Sequence, residues 1–505
     1  MNVKQLTRYR ENNRLEAKKA AGGLPRSVWE TYSAFANTEG GIILLGVEER
    51  ADHSLAVAGV SHPEKMLRDF WNVLNNRSKI SANILLDKHV RIEPIDGKPV
   101  IVIDVPCAER ADRPIYINND LFGGSFRRGG EGDYHCPKTA VQAMLRDAGA
   151  ETQDTKVLNE LPPDVFAADS VRGYRQRMRL VRPGHVWEAL ADDEFLLRLG
   201  AIARGNDARL HPTGCGLLMF GVEHEIVREF PRFFLDYQER FDADIRYTDR
   251  MVSTSGDWNG NVYDFFYKTY TRLAQRVQIP FVLANGRDRI EDTPVHQALR
   301  EALANCLVNA DYYGETGVVV KSEAEQITFD NPGVLRIPLG VALCGGISSP
   351  RNAGLMKMFN LLNIGERAGS GIPNILRVWH DQHWAPPVLQ TFYTPEHSVL
   401  KVCVPPRQAI RSAGKKVPIK KCRQKVPIKS ADKKMPTKST GQCQTILKFM
   451  KANHEIRSAD LLPVLNVGER RIKILLQSLV ASSQIQAFGA NKNRTYRLRE
   501  NCSEI

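Results

Sequence analysis

Apolar residues at Val28, Tyr32, Phe35 and Ala36 recur at the spacing of one helix face and predict a helix over residues 26–37. Gly40-Gly41 stops that helix, and the unbroken apolar run from Ile42 to Val47 predicts a buried strand. Further on, Asp96-Gly97 stands between strand-like runs as a hairpin turn with VIVIDV after it. PIYIN and GSFRRGG predict another strand pair, ending in Arg127, Arg128 and two glycines. The front of the chain therefore reads as α/β to about residue 150. From about 155 to 290 helices and short strands alternate (TGCGLLMFG, RFFLDYQER, GNVYDFFYKTYTRL) without a chemical motif. HQALREALANCLVNADYYGE, residues 296–315, then predicts a helix packed through Leu299, Leu303 and Leu307.

Past residue 441 the pattern shortens. Ile446, Leu447 and Met450 form one helical face, Ala459, Leu461 and Leu462 a second, and Ile472, Leu475, Leu476 and Leu479 a longer third. IQAFGANKNRTYRLRE alternates around a Gly-Ala-Asn turn. Three short helices followed by a basic hairpin resemble a winged helix-turn-helix, whose third helix enters the major groove. Arg470, Arg471 and Lys473 fall on the polar side of that helix, and Lys492, Arg494 and Arg497 lie on the wing. A winged helix used for protein contacts alone stays open as an alternative.

At 505 residues the chain is too long for one core and divides into roughly three or four domains. The pattern gives an α/β domain at 1–150, an α+β connector at 151–290, a further α/β unit at 291–405, a linker at 406–440 and the winged helix at 441–505. No apolar run is long enough to cross a bilayer and the amino terminus has no apolar signal core, which predicts a cytoplasmic protein. Nine cysteines without a C-x-x-C pair read as reduced structural thiols. The net charge of +13 belongs mostly to one segment. Between Pro406 and Thr440 twelve Lys or Arg face one acid, Asp432, giving +11 and leaving about +2 for the rest. That segment repeats every nine residues as Lys416-Val-Pro-Ile-Lys420, Lys425-Val-Pro-Ile-Lys429 and Lys434-Met-Pro-Thr-Lys438. Proline at each period and like charge predict an extended tether, either a plain linker or a sequence-independent phosphate contact.

Glu11, Glu16, Lys18 and Glu49 are the first chemical candidates. In an extended segment Glu16 and Lys18 share one face, and converging carboxylates can hold Mg²⁺ or Mn²⁺ while a lysine orients water. On spacing alone these are surface charges of a strand pair. However, LPRSVWETYSAFANTEGGIILLGVEE, preceded by Glu11-x4-Glu16-Ala-Lys18, resembles the Schlafen-type, Alba-related DNA-binding domain over roughly residues 8–145. The resemblance implies a nucleic-acid-binding scaffold in which Lys18, Arg127 and Arg128 meet phosphate. In the Schlafen proteins that cut RNA three acids bind the metal, and by that pattern they fall on Glu11, Glu16 and Glu49, the last being a glutamate where an aspartate is expected.

In the second candidate, Glu301, Asn305 and Asn309 recur every four residues and drift only about 40° per step around a helix. A carboxylate one turn before a carboxamide suits a base beside a Mg²⁺ ligand. ITFDNPGVL places Asp330-Asn331 at a turn, and SSPRNAGLMKMFNLLNIGERAGSGIPNIL supplies Gly365, Gly369 and Gly371 before an amphipathic stretch. Over about residues 295–400 this order resembles a divergent form of the ATP-binding sandwich shared by gyrase-type and histidine-kinase-type (GHKL) ATPases. The resemblance implies Glu301 as general base, Asn305 as Mg²⁺ ligand, Asp330 with Gly333 at the adenine loop, and Gly369 and Gly371 in the lid, with Asn309 and Gly365 alongside. Pro332 stands where a glycine is usual, and Asn309 replaces a common histidine. No Gly-x4-Gly-Lys-Ser/Thr loop occurs, so a helicase motor is not expected.

The expected protein is an α/β and α+β multidomain regulator that binds ATP with Mg²⁺ (or Mn²⁺) and double-stranded DNA, its contacts gated by nucleotide. The alternative is a metal-dependent nuclease acting through Glu11, Glu16 and Glu49. The sequence leaves the oligomeric state open, a homo-oligomer included.

Overall fold

The computed structural model describes residues 14–130, 132–241, 246–277, 283–284, 288–289, 292–365 and 369–405, and in the carboxy-terminal part residues 446, 449–450, 456–465, 472, 475–476, 479, 485–488 and 495–498. These belong to two compact units, Met1–Val417 and Pro418–Ile505. Residues 406–445, which carry the basic repeat, lie outside the described residues.

The first part of unit 1 comprises β1 (Leu15–Lys18), α1 (Val28–Ala36), β2 (Gly41–Leu45), β3 (Val47–Glu49), β4 (Leu55–Val57), α2 (Pro63–Leu74), β5 (Val90–Ile95), β6 (Lys98–Val105), β7 (Phe126–Gly129), β8 (Gly132–His135) and α3 (Lys138–Ala148). Four strands form a sheet in the order β1-β2-β6-β5, with β1 parallel to β2 and the other pairs antiparallel. Helix α1 buries Val28, Tyr32 and Phe35 with Ile43, Leu45 and Ile103. The β3–β4 hairpin covers the opposite face, where Val47 and Leu55 pack with Leu15, Leu44 and Val102. The sheet is thus buried on both faces, which is why β2 reads as a continuous apolar run.

The double glycine is a steric requirement at this junction. A Cβ at Gly40, whose φ is +75°, would stand 2.7 Å from Val105 O, and one at Gly41 would meet the Phe35 ring at 2.7 Å. Two expectations change. The strand expected to reach Val47 breaks at Gly46 (φ +93°), which re-aims the chain into the hairpin. PIYIN meets GSFRRGG only at the Tyr116–Ser125 bridge, and Phe126–Gly129 pairs instead with Gly132–His135.

The rest of unit 1 comprises α4 (Ala168–Val181), α5 (Asp192–Leu199), β9 (Ile202–Arg204), β10 (Leu210–Pro212), α6 (Gly214–Phe220), α7 (Glu223–Glu229), β11 (Leu235–Arg240), β12 (Asp249–Val252), α8 (Val262–Arg276), β13 (Leu283–Ala284), β14 (Asp288–Arg289), α9 (Pro294–Asn309), β15 (Val318–Glu323), β16 (Gln326–Pro332), α10 (Leu339–Cys344), α11 (Ala353–Leu361), α12 (Gly371–Asp381), β17 (Val388–Tyr393) and β18 (Glu396–Cys403). One six-stranded sheet runs β12-β11-β15-β16-β18-β17, with β11 parallel to β15 and the remaining pairs antiparallel. The boundary expected at residue 290 therefore does not separate two cores. Leu235 and Tyr237 from the expected connector share one apolar core with Leu299, Val320, Phe329 and Val402. The reason is pairing: β11 has strands on both sides, and one neighbour, β15, comes from the expected nucleotide-binding segment.

In unit 2 the hairpin β20 (Ile485–Phe488) and β21 (Thr495–Leu498) pairs with β19 (Ile456–Arg457), and α13 spans Leu462–Leu465. Ile446, Met450, Leu461, Ile472, Leu475, Leu476, Leu479 and Tyr496 are buried in its core.

Candidate nucleotide site and the amino-terminal charge cluster

Helix α9 starts at Thr293 with Pro294 at its first position, where the missing N–H costs nothing. It is apolar almost all round: Val295, Ala298, Leu299, Ala302, Leu303, Leu307 and Val308 are buried. Besides His296, Gln297 and Arg300, its polar positions form one stripe, in which Asn305 Nδ2 donates to Glu301 Oε1 at 3.1 Å and Asn309 Nδ2 donates to Asn305 O at 3.0 Å. All three side chains line a cavity between α9, the sheet and the Gly369–Gly371 segment, enclosing about 1000 Å³ counted out to its open mouth. Gly365 lies at that mouth with Glu301, Gly371 and Arg377.

The glycines make the space. A Cβ at Gly371 would stand 2.3 Å from Glu301 Oε1 and 2.7 Å from Asn305 Nδ2. Gly369 has φ +65°, and a Cβ there would meet the Ile347 backbone at 2.5 Å. Gly333, also left-handed at φ +91°, does not line the cavity and sits behind its wall, against the Arg351 guanidinium. Asp330 is displaced from its expected place. Strand alternation turns Phe329 and Asn331 into the cavity and Asp330 to the opposite face of the sheet, beside Lys321 and Lys401. Burial raises the Asp330 carboxyl above its ordinary range, with His397 and the two lysines opposing. Asn331 is thus the polar side chain of β16 that reaches the cavity.

Two arginines of the cavity wall were not legible as site residues. Arg351 donates to Asp147 through Nε at 3.0 Å and a terminal nitrogen at 2.8 Å, and also to Asn309 O and Val334 O. Arg336 donates to Pro350 O and to Asp147 O, and its buried Nε has no hydrogen-bond acceptor, the Asp147 carboxylate lying 3.5 Å away. Burial lowers Arg336 to about 10. Burial lifts Asp147, but Arg351 and Arg336 more than reverse this and leave it below the ordinary carboxylate range. Asp147 ends α3, so the last helix of the amino-terminal part grips the cavity wall. Arg146 with Asp311 at 2.9 Å, and Arg110 with the carbonyls of Asp147 and Gly149, reinforce that junction.

In the amino-terminal part, β1 brings Glu16 and Lys18 to one face, 2.9 Å apart. The other Glu16 oxygen accepts from Arg128 at 2.8 Å, and Arg128 also donates to Asp133 at 2.9 Å. Arg128, with 2% of its side chain exposed, lies over the Phe35 ring. It is a buried tie between strands, which corrects its expected role at phosphate. Arg127 is likewise engaged, donating to Tyr393 O and Thr394 Oγ1. Glu49 pairs with His53 at 2.9 Å on the hairpin that covers the sheet face away from α1, so Glu16 and Glu49 are not brought together. Glu11 lies outside the described residues. Among the described residues no three His, Cys, Asp or Glu form a metal-holding group. Arg470, Arg471, Lys473, Lys492 and Arg494 also lie outside the described residues, while Arg497 falls on β21.

The Ser-Ala-Phe-Ala-Asn signature has a structural cause. Ser33 Oγ donates to Ile115 O at 2.7 Å and accepts from Phe126 N at 3.0 Å. Asn37 donates to Ile115 O and Phe126 O and accepts from Ile115 N. These two side chains satisfy backbone groups that no strand partner serves, and so hold β7 against α1.

Comparison with known proteins gives three family matches along the chain. Residues 11–137 match the Schlafen AlbA_2 family, residues 315–394 the family described as "Putative ATP-dependent DNA helicase recG C-terminal", and residues 142–236 a domain of unknown function, DUF8451. No curated protein matches. The solution structure of the amino-terminal domain of a RecG-related protein from Nitrosomonas europaea is 31% identical, covering 26% of this chain and 89% of that one, with a TM-score of 0.21. The crystal structure of the DIP2311 protein from Corynebacterium diphtheriae is 13% identical, covering 96% of this chain and 95% of that one, with a TM-score of 0.42. The chain therefore carries an amino-terminal Schlafen AlbA_2 domain and, further on, an ATPase-like domain of the recG carboxy-terminal type.

Proposed function

We propose that the chain binds ATP in the α9 cavity and nucleic acid elsewhere, and that the first controls the second, in the manner of a DNA-binding transcriptional regulator. The observation that carries this reading is the stripe Glu301, Asn305 and Asn309, abutted by Gly371, in a cavity whose far wall, Arg336 and Arg351, is held by the amino-terminal part through Asp147. The residues fit a nucleotide with Mg²⁺. A Cβ at Gly371 would displace the Glu301 and Asn305 side-chain ends, and the buried Arg336 Nε lacks an acceptor that a phosphate oxygen supplies. The Asn305 carboxamide is a ligand for a cation that keeps waters and phosphate oxygens in its shell. Bound ATP supplies a phosphoanhydride whose charge Mg²⁺ offsets.

Within that site Glu301 accepts a proton from water and Asn305 fixes the orientation of its carboxylate through the 3.1 Å hydrogen bond. Arg351 ties Asn309, at the end of the stripe, to Asp147, so charge arriving in the cavity competes with Asp147 for its guanidinium partners. That competition is the route from cavity to amino-terminal part. The winged helix of unit 2 adds the double-stranded DNA contact in this reading.

The test is a shift assay with duplex DNA and ATP–Mg²⁺ on the full chain. ATP changes the affinity for DNA, and Glu301→Gln retains the change while losing hydrolysis. DNA affinity indifferent to ATP would end the gating idea. Cleavage of labelled tRNA or DNA in Mn²⁺, lost in Glu16→Ala and kept in Glu301→Gln, would put the nuclease in its place.

A further inference from the structure

The cations expected to meet nucleic acid in the amino-terminal part are engaged internally, which turns attention to the clustered cations unit 1 does present. They lie on the face of the six-stranded sheet away from the cavity. The register forms a cross-strand row, Arg250–Gln238–Lys321–Thr328–Lys401–Val388, whose cations occupy every second strand. At about 4.8 Å per strand they stand roughly 9–10 Å apart. At one edge three guanidinium groups surround one ring, with Arg240, Arg246 and Arg250 at 4.9, 5.3 and 4.8 Å from the centre of Tyr247. At the other edge Phe392, 40% exposed, stacks on His397 with centroids 4.7 Å apart. Helices α8 and α9 pack on the opposite face, with Tyr237 and Phe329.

The acids of this face are Asp236, Glu323 and Asp330. Asp236 is buried and taken by two contacts from Arg250 at 2.8 and 3.1 Å. Glu323 accepts from Gln326. Asp330 lies one register step below the lysines. The long Arg and Lys side chains reach beyond these shorter acids, so the charge presented outward is positive. Arginines around Tyr247, Arg246 first, lower its hydroxyl below the ordinary range, as a positive local field requires.

We infer that this sheet face is a binding platform for single-stranded nucleic acid, its backbone crossing the Arg250–Lys321–Lys401 row and its bases stacking on Tyr247 and Phe392. The surface suits that ligand for two reasons. A broad sheet face cannot enter a duplex groove, which admits a helix or a two-stranded ribbon. Aromatic rings beside a basic track are the arrangement that holds splayed bases without sequence preference.

The test uses the full chain and short fluorescein-labelled oligothymidylate, with a matched duplex and polyglutamate as comparison ligands. Arg246→Gln, Lys321→Gln and Lys401→Gln together leave the Arg250–Asp236 pair intact. They weaken oligothymidylate binding at least about tenfold and flatten the log–log salt dependence by roughly two, at about 0.7 per phosphate contact. Tyr247→Ala with Phe392→Ala weakens binding at least about thirtyfold at unchanged salt slope, because stacking releases no counterions. Oligothymidylate carrying bromodeoxyuridine crosslinks on irradiation to the peptides containing Tyr247 or Phe392. Unchanged affinity and slope in the triple variant, together with no adduct at either peptide, overturns the proposal. Loss confined to the duplex, or to polyglutamate, overturns it as well.

Discussion

Replacing Asp147 by Asn keeps the side chain's shape and removes its charge, leaving Arg351 and Arg336 at the cavity wall without their shared ion-pair partner and Arg351 with only the more weakly acting Asp311 and Glu396. Asp147 is 18% exposed at its side chain and holds Arg351 by two nitrogens at 2.8 and 3.0 Å. Removing one member of a buried pair costs about 3–5 kcal/mol. The Asn oxygen can still accept one hydrogen bond, so the low end applies, about 3 kcal/mol or roughly two powers of ten in the folding constant of unit 1. The folded carboxyl lies below its unfolded value, with burial opposing and the arginines prevailing. Its contribution is therefore fully present above the unfolded carboxylate value, near about pH 4, and fades as pH falls through the folded one. Urea unfolding followed by tryptophan fluorescence measures both effects. The variant's midpoint falls at neutral pH, and the gap to the wild type narrows in acid. ATP–Mg²⁺ then stabilises the variant more than the wild type, since phosphate supplies the missing negative charge. An unchanged midpoint at neutral pH, or equal stabilisation by ATP in both proteins, would refute this account of the wall.

Other outcomes follow from the same geometry. Asn331→Leu lowers nucleotide affinity about tenfold, the loss of about one buried hydrogen bond, whereas Asp330→Ala on the far face leaves it unchanged; fluorescent-nucleotide titration separates the two. Arg128→Gln removes the cation shared by Glu16 and Asp133, leaving Glu16 with Lys18 and Asp133 with Thr31, and costs about 3 kcal/mol of stability in urea unfolding. A phosphate-contacting Arg128 would instead lose nucleic-acid affinity at unchanged stability.

The elements carried by local pattern were legible. Helix α1, the double glycine and β2 follow from apolar spacing and from a turn that has no room for a side chain, and the α9 stripe follows from the four-residue repeat. Pairing between distant segments was not. Residues 235–240 pair with 318–323, and nothing in either segment names the other, so the core was divided at residue 290 where none exists. Asp147 meets Arg351 across 204 positions of sequence, which hid both arginines of the wall. Asp330 was misplaced for a different reason. Reading ITFDNPG as a strand to its end, with Ile327, Phe329 and Asn331 on one face, would have put the aspartate outside. Arg128 looked like a phosphate contact because a lone exposed arginine and a buried paired one are the same letter. Its partners, Glu16 and Asp133, come from β1 and β8.

The central claim is that the α9 cavity is a nucleotide site, and calorimetric titration of ATP–Mg²⁺ into the full chain and its Gly371→Ala variant tests it most directly. The Cβ of alanine would stand 2.3 Å from Glu301 Oε1 and 2.7 Å from Asn305 Nδ2, displacing both from the stripe. The account predicts saturable ATP binding to the wild type and its loss in Gly371→Ala with the unfolding midpoint kept. Equal binding by the two proteins, or none by the wild type, would contradict it.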